Sequence, residues 1–589
     1  MYRIWRHPSS EFGIFSHKPD DLQDETVTAE AAYSDNNLAE ISASGFNAIW
    51  VHGQLQHMIH GDGFPEFGRN SKSHLEKMKI LIARAEKHNL KVFLYMQPPR
   101  AISVENKEFW DNHLDVAGEV VQRLEDCSGK RVKMRCLCTS KQKVRQYIKN
   151  ALCNLTEALP DLGGYIFISA SEYPSHCYAQ RNCRPGSIRP RKLKMNMHPV
   201  TCPNCAQFEP EDVVVELLWT IRDGIRMASR DMPIIFWNWS WNLYIDSPCK
   251  EIISRLPRDT CLLVGFERGG KKDLSGRHGQ FINEYSLSYA GPSEQFIESM
   301  QLAREYGLEV MAKLQFGTTH ELATVVSLPL LGNVLKKAVF IRENKLKGFM
   351  GCWNFGNQQS ANTAGFNYFI SNACPDSEEE ALKTFAGLYF KECDKKEVVR
   401  AWLEFDKAMM YFPFCIPFLY MAPTNYALAL IPQPGVLNKK SAGRSWLMDE
   451  RGDDLSAAIT DFSLSEIIKN FDSLYKIWCN GVNILRKALK HVGSINVDNE
   501  LGNAEICGAV WRSTRNAFML YGLRLAWQNA KLAEYCRIAS NELENVKNIL
   551  PYVSRDPRQG FHIEAHDYMF NAEMLKHKIK TLESQLDKL

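Results

Sequence analysis

The chain has 589 residues, 45% hydrophobic and 24% charged, a globular composition that excludes a disordered or collagen-like protein. Its 71 basic residues against 68 acidic ones leave a formal charge of +3, so no basic surplus points to a nucleic-acid partner. The length suggests several domains at ~150 residues each, although one α/β barrel takes ~250 by itself.

The most apolar stretch, Tyr411 to Ala422, is shorter than the ~20 residues a membrane span needs and contains Pro413 and Pro417, so no membrane partner is expected. The start of the chain turns polar within a few residues and reads as lacking a signal peptide. The 17 cysteines are odd in number, and most lie singly in apolar segments, as at Cys153, Cys261, Cys352 and Cys415. This usage predicts reduced thiols and a cytoplasmic location rather than a secreted disulfide framework.

In chain order, short apolar runs alternate with amphipathic helical stretches. The runs are Arg3–Trp5, Asn47–His52, Lys91–Gln97, Gly164–Ser169, Pro233–Trp239, Cys261–Glu267, Glu309–Phe316 and Gly348–Phe355. Near-continuous apolar strands separated by helices are what a parallel sheet buried on both faces demands. Eight of them predict a closed (β/α)8 barrel. Between them, Leu75, Met78, Leu81, Ile82 and Ala85 form one helical stripe, with Asn89 as its stop. Ser140 is the expected N-cap of a helix bearing Val144, Ile148, Leu152 and Leu155, and Gly307 ends one bearing Phe296, Met300 and Ala303.

After Cys374 the strand pattern stops. Ser463 and Glu466 form a capping box, and Leu575, Ile579, Leu582, Leu586 and Leu589 keep helical spacing to the end of the chain. The expected organisation is a barrel catalytic domain over 1–374, with a cysteine-rich insertion at 176–205, and an α-helical domain over 375–589. Homo-oligomerisation is expected to use the helical domain.

Reactive groups of such barrels lie at the carboxyl ends of the strands and in the loops that follow. That filter leaves Glu172 after the fourth strand, Glu267 at the end of the sixth and Glu321 after the seventh. Paired carboxylates are the minimal apparatus for glycosidic cleavage. Glu172 follows an uncharged strand and stands beside Tyr173, a setting that keeps a carboxyl protonated to higher pH. The same ends carry Trp50, Trp237, Trp239, Trp241 and Trp353 for stacking on sugar rings. Gln97, Arg100, Asn238, Gln315, His320 and Asn354 are available for hydroxyls. A carbohydrate substrate is therefore expected, and no Gly-rich phosphate loop follows a strand.

The run DLGGYIFISASEYPSHC from Asp161 to Cys177, followed by CPNC at Cys202–Cys205, resembles barrel proteins related to glycoside hydrolase family 20, the β-N-acetylhexosaminidases. Leu137–Ser140 (LCTS), Phe236–Trp241 (FWNWSW), Thr318–Leu322 (TTHEL) and Phe412–Tyr420 (FPFCIPFLY) resemble that group as well. The resemblance implies a sugar-cleaving barrel with its general acid at Glu172. Family 20 places an aspartate immediately before that glutamate to orient the substrate's acetamido group. Here the position is Ser171, which carries no charge. The expected activity is thus a glycoside hydrolase removing terminal sugars from oligosaccharides or glycoconjugates by a two-carboxylate retaining mechanism. Glu172 is the acid/base and Glu321 the nucleophile, with Glu267 in reserve. A substrate-assisted β-N-acetylhexosaminidase and an inactive carbohydrate-binding barrel are the alternatives.

No cofactor is expected for catalysis. Cys177, Cys183, Cys202 and Cys205 are the expected ligands of a structural zinc, against the alternative of four unrelated reduced thiols. The basic run at 184–194 reads as a solvated insertion.

Overall fold

The computed structural model describes residues 1–10, 25–124, 131–170, 173–179, 182–186, 197–243, 245–274, 277–445, 452–528 and 531–589. Its central sheet is a closed parallel barrel of β1 (Tyr2–Trp5), β2 (Ala48–His52), β3 (Lys91–Met96), β4 (Gly164–Ile168), β5 (Ile234–Trp237), β6 (Cys261–Gly265), β7 (Glu309–Leu314) and β8 (Gly348–Gly351). Each strand pairs with its neighbours in chain order, and β8 closes on β1 with Tyr2 opposite Gly348. Every residue of β2, β4, β5 and β8 is buried, which is why these segments are apolar throughout and show no alternation.

The helices between the strands bury the faces their spacing predicts. Ser71–Lys87 buries Met78, Leu81, Ile82 and Ala85, and Asn89 turns the chain at a φ of 58°. Glu294–Glu305 buries Phe296, Met300 and Ala303 and is followed by Gly307 at a φ of 74°, a left-handed stop that favours glycine. Gln142–Ala158 buries Val144, Ile148, Leu152 and Leu155, but its N-cap is Lys141 and not Ser140. The Ser140 hydroxyl is drawn instead to the Cys205 thiol at 3.3 Å.

Two antiparallel insertions interrupt the barrel pattern. A three-stranded sheet of Ile102–Ser103, Ala117–Leu124 and Arg131–Leu137 follows β3, and a hairpin of Gly270–Leu274 with Arg277–Ile282 follows β6.

The chain forms two compact units that interleave in sequence. The first comprises Met1–Phe266, Glu294–Leu314 and Leu346–Gly351 and carries the whole barrel sheet. The second comprises Glu267–Ser293, Gln315–Lys345 and Cys352–Leu589. It is mainly helical, with long helices at Leu464–Ala488, Ile495–Leu525, Leu532–Arg555 and Ala572–Asp587. Its core stacks Phe405 on Trp478 at 4.5 Å, and the Trp478 indole donates to the Ala504 carbonyl at 2.8 Å. A buried Lys578–Glu542 ion pair at 2.6 Å lies within the same unit. Glu542 also accepts from Ser513 and Asn516, the additional hydrogen bonds a buried charge requires. No helix among the described residues is long and apolar enough to cross a membrane.

Candidate active site

Glu172 and Ser171 lie outside the described residues; the loop after β4 is described again from Tyr173. Tyr173 is buried, and the Arg100 guanidinium covers its ring at 3.6 Å, a cation–π contact that fixes both side chains. The loop is tied down on either side. The Ser175 hydroxyl donates to the Ser169 carbonyl at 2.7 Å, and the Ala101 amide donates to the Pro174 carbonyl at 2.9 Å. One turn of chain after Glu172 is thus anchored to the ends of β3 and β4.

Arg100 and Tyr173 line a cavity of about 350 Å³ together with Gln54, Glu66, Arg69 and Asn106. Sequence reading found only the first two of these. Gln54, Glu66 and Arg69 belong to the long segment after β2, and no periodic or motif signal set them apart there. Beside the cavity residues, His52 Nε2 pairs with Gln97 Oε1 at 3.3 Å, and Gln97 Nε2 donates to the Tyr95 hydroxyl at 3.0 Å. Arg6, just past β1, makes a buried two-point ion pair with Glu25 at 2.7 and 2.8 Å, and Glu25 also accepts from the His52 amide.

The tryptophans expected at the strand ends are mostly buried. Trp50, Trp237 and Trp241 are at most 1% exposed. Trp50 packs between Tyr95 and the Arg6 guanidinium, and the Trp241 indole donates to the Ser169 hydroxyl at 2.8 Å. Trp239 and Asn238 are half-buried, and Trp239 leans on Trp237 at 5.6 Å.

In the second unit, Glu321 and Glu267 differ sharply. Glu321 is fully buried, and donors occupy both of its oxygens. Oε1 accepts from the hydroxyls of Ser286 (2.6 Å) and Ser288 (2.5 Å) and from the Ser288 amide (3.1 Å). Oε2 accepts from the Leu287 amide at 3.0 Å and from the Thr319 hydroxyl. Lys272, whose pKa burial pushes down to about 8, donates to the Ser288 hydroxyl at 2.8 Å and extends this network. Glu321, the expected nucleophile, thus also ties down the segment Ser286–Ser288.

Glu267 is also buried, but only its Oε1 is engaged, by the Lys337 ammonium at 2.5 Å and the Gln315 amide N–H at 2.9 Å. Its Oε2 has no hydrogen-bond partner among the described residues. The side-chain amides of Gln315 and Asn354, both fully buried, have no hydrogen-bond partner at either polar atom among the described residues. His320 is packed among the rings of Tyr285, Phe355 and Tyr420, and Trp353 is buried.

The cysteine expectation changes in one member. The thiols that converge are those of Cys138, Cys177, Cys202 and Cys205, with all four sulfurs within 4.8 Å of one another. Cys183 is half-exposed and is not one of them. Its segment pairs with His198–Pro199 as a short parallel strand, which holds its backbone while Cys138 arrives from the end of the strand Arg131–Leu137. Cys138 belongs to the LCTS run, so the signal was in the sequence but lay outside the cysteine-rich insertion. Of the basic run, Arg184 pairs with Glu209 at 2.9 Å, and residues 187–194 lie outside the described residues.

No family model matches the chain, and no curated protein matches it. Solved structures do. A Bacteroidetes-affiliated family 5 cellulase is 11% identical with a TM-score of 0.39, the alignment covering 65% of this chain and 94% of that one. An O-GlcNAc hydrolase of Thermobaculum terrenum is 8% identical with a TM-score of 0.37, covering 100% and 96%. A broad-specificity endoglucanase of Clostridium acetobutylicum is 12% identical with a TM-score of 0.34, covering 62% and 97%. Likeness at this level bears on neither substrate nor mechanism, which must be argued from the site.

Proposed function

We propose that the protein is a glycoside hydrolase acting on terminal sugars of oligosaccharides or glycoconjugates by a two-carboxylate mechanism, with Glu172 as general acid/base. The observation that carries this reading is the cavity of about 350 Å³ at Arg100 and Tyr173, because Tyr173 is the chain neighbour of Glu172. Gln54, Asn106 and the guanidiniums of Arg69 and Arg100 offer hydrogen bonds to hydroxyls, and Phe67 and Phe109 supply apolar wall. Glu321 and Glu267, which follow the seventh strand and end the sixth, are the candidates for the second carboxylate.

The chemistry then follows the two-carboxylate scheme. Glu172 protonates the departing glycosidic oxygen as the second carboxylate attacks the anomeric carbon, giving a glycosyl ester. Glu172 next takes a proton from water, which cleaves that ester with overall retention. The family 20 route through the acetamido group is disfavoured by Ser171, whose hydroxyl cannot supply the charge of an aspartate.

Following the anomeric proton by NMR during the first minutes of hydrolysis of an aryl glycoside tests the scheme. Initial release of the retained anomer is expected. Release of the opposite anomer would make the second carboxylate a base, and undiminished turnover in Glu267→Gln would remove Glu267 from the candidates.

A second reading, a barrel that binds sugar without cleaving it, is favoured by Ser171 and by the full donor set on Glu321. Calorimetric sugar binding with no turnover across a panel of aryl glycosides would establish it in place of the first.

A further inference from the structure

We infer that Cys138, Cys177, Cys202 and Cys205 form a four-thiolate site for a single zinc ion that holds the loop following Glu172 in place. The four sulfurs lie within 4.8 Å of one another, with Cys138–Cys205 at 3.7 Å and Cys138–Cys202 at 3.6 Å. Tetrahedral zinc with bonds of ~2.3 Å holds its sulfurs ~3.8 Å apart, so this spacing suits one ion. All four cysteines are at most 4% exposed and none is in a disulfide. A closed, all-sulfur set with no open position is a structural and not a catalytic arrangement.

The surroundings are built for thiolates. The Glu119 amide donates to Cys177 Sγ at 3.3 Å, and the Ser140 hydroxyl lies 3.3 Å from Cys205 Sγ. The Glu119 carboxylate clamps the CPNC segment from the other side, accepting from the Thr201 and Cys202 amides at 2.6 and 3.0 Å. At Gly118 an added Cβ would come within 2.8 Å of Cys177 Sγ, so the strand Ala117–Leu124 approaches the cluster as only glycine allows.

The ligands come from three separate places: Cys138 beyond the strand Arg131–Leu137, Cys177 in the loop after β4, and the Cys202–Cys205 pair just before the helix Pro210–Ala228. Tyr178 adds two more ties, donating its hydroxyl to the carbonyls of Cys205 and Phe208 at 3.0 and 2.9 Å. An ion bonded to Cys177 would thus fix the chain a few residues beyond Glu172 to the inserted sheet and to that helix. Cys183 has no part in it.

The test is metal analysis of the full-length protein purified without chelators, combined with titration by an organomercurial in the presence of a colorimetric zinc indicator. About one zinc per chain is expected, released as four thiols react. Cys183→Ser should keep the full complement, and Cys138→Ser should lose most of it. Zinc below about a tenth of an equivalent, iron in its place, or a full complement in Cys138→Ser would overturn the assignment. The titration needs only the wild-type chain, so it decides the matter even if Cys138→Ser does not fold.

Discussion

At the scale of single residues, the two described carboxylates at strand ends differ in their partners. Glu321 satisfies three hydroxyls and two backbone amides, so removing it strands several buried donors at once. Glu321→Ala is expected to lower stability on the order of 3 kcal/mol, measured by urea unfolding. Loss of turnover in Glu321→Gln without loss of stability would place the residue in the chemistry. Glu172→Gln should instead leave stability unchanged and reduce turnover of natural substrates ~10²-fold or more, the ordinary contribution of a general acid. Substrates with activated leaving groups need little protonation and should be affected less. A correctly folded Glu172→Gln with wild-type kinetics excludes the residue.

At the scale of elements, the helix Leu464–Ala488 shows how local chemistry sets a boundary. Ser463 accepts from the Glu466 amide at 3.3 Å, and the Glu466 carboxylate accepts from the Ser463 amide at 2.8 Å, closing the box that the spacing predicts. Ser463→Ala should cost about 1 kcal/mol in thermal or chemical unfolding of the full chain. Ser140 shows the opposite outcome, because a hydroxyl able to cap a helix was taken by a thiol brought to it by tertiary packing. Capping residues are legible in sequence only when no competing partner comes from elsewhere.

At the scale of the whole molecule, buried histidines set a pH dependence. Burial, reinforced by neighbouring His320 and His566, pushes the pKa of His562 down to about 3, and burial takes that of His176 to about 4. Both rings are therefore neutral in the folded protein at pH values where the unfolded chain, near ~6.5, already binds a proton. The unfolded state then holds more protons, so stability is full above that value and falls as the pH drops toward 4. Urea midpoints measured from pH 7.5 to 4.5 should decline, and His562→Gln should flatten part of the slope. A midpoint independent of pH over that range would show these rings titrating alike in both states.

What the sequence determined by itself is the barrel and the helices, because strand and helix periodicity record local burial and each element needs only its own residues to show it. The eight apolar runs became β1 to β8 in order, and the faces carrying Met78, Ile148 and Phe296 are the buried ones. Of the candidate site, the strand-end carboxylates were legible in the sequence, but their hydrogen-bond partners were not. Lys337 reaches Glu267 from 70 positions away, and Ser286 reaches Glu321 from 35, so which carboxylate keeps a free oxygen is written in no local pattern. The same holds for the thiols, where Cys138 displaces Cys183 because the inserted sheet delivers it to the cluster. Long-range packing chooses the hydrogen-bond and sulfur partners, and only the tertiary structure decides among chemically equivalent candidates.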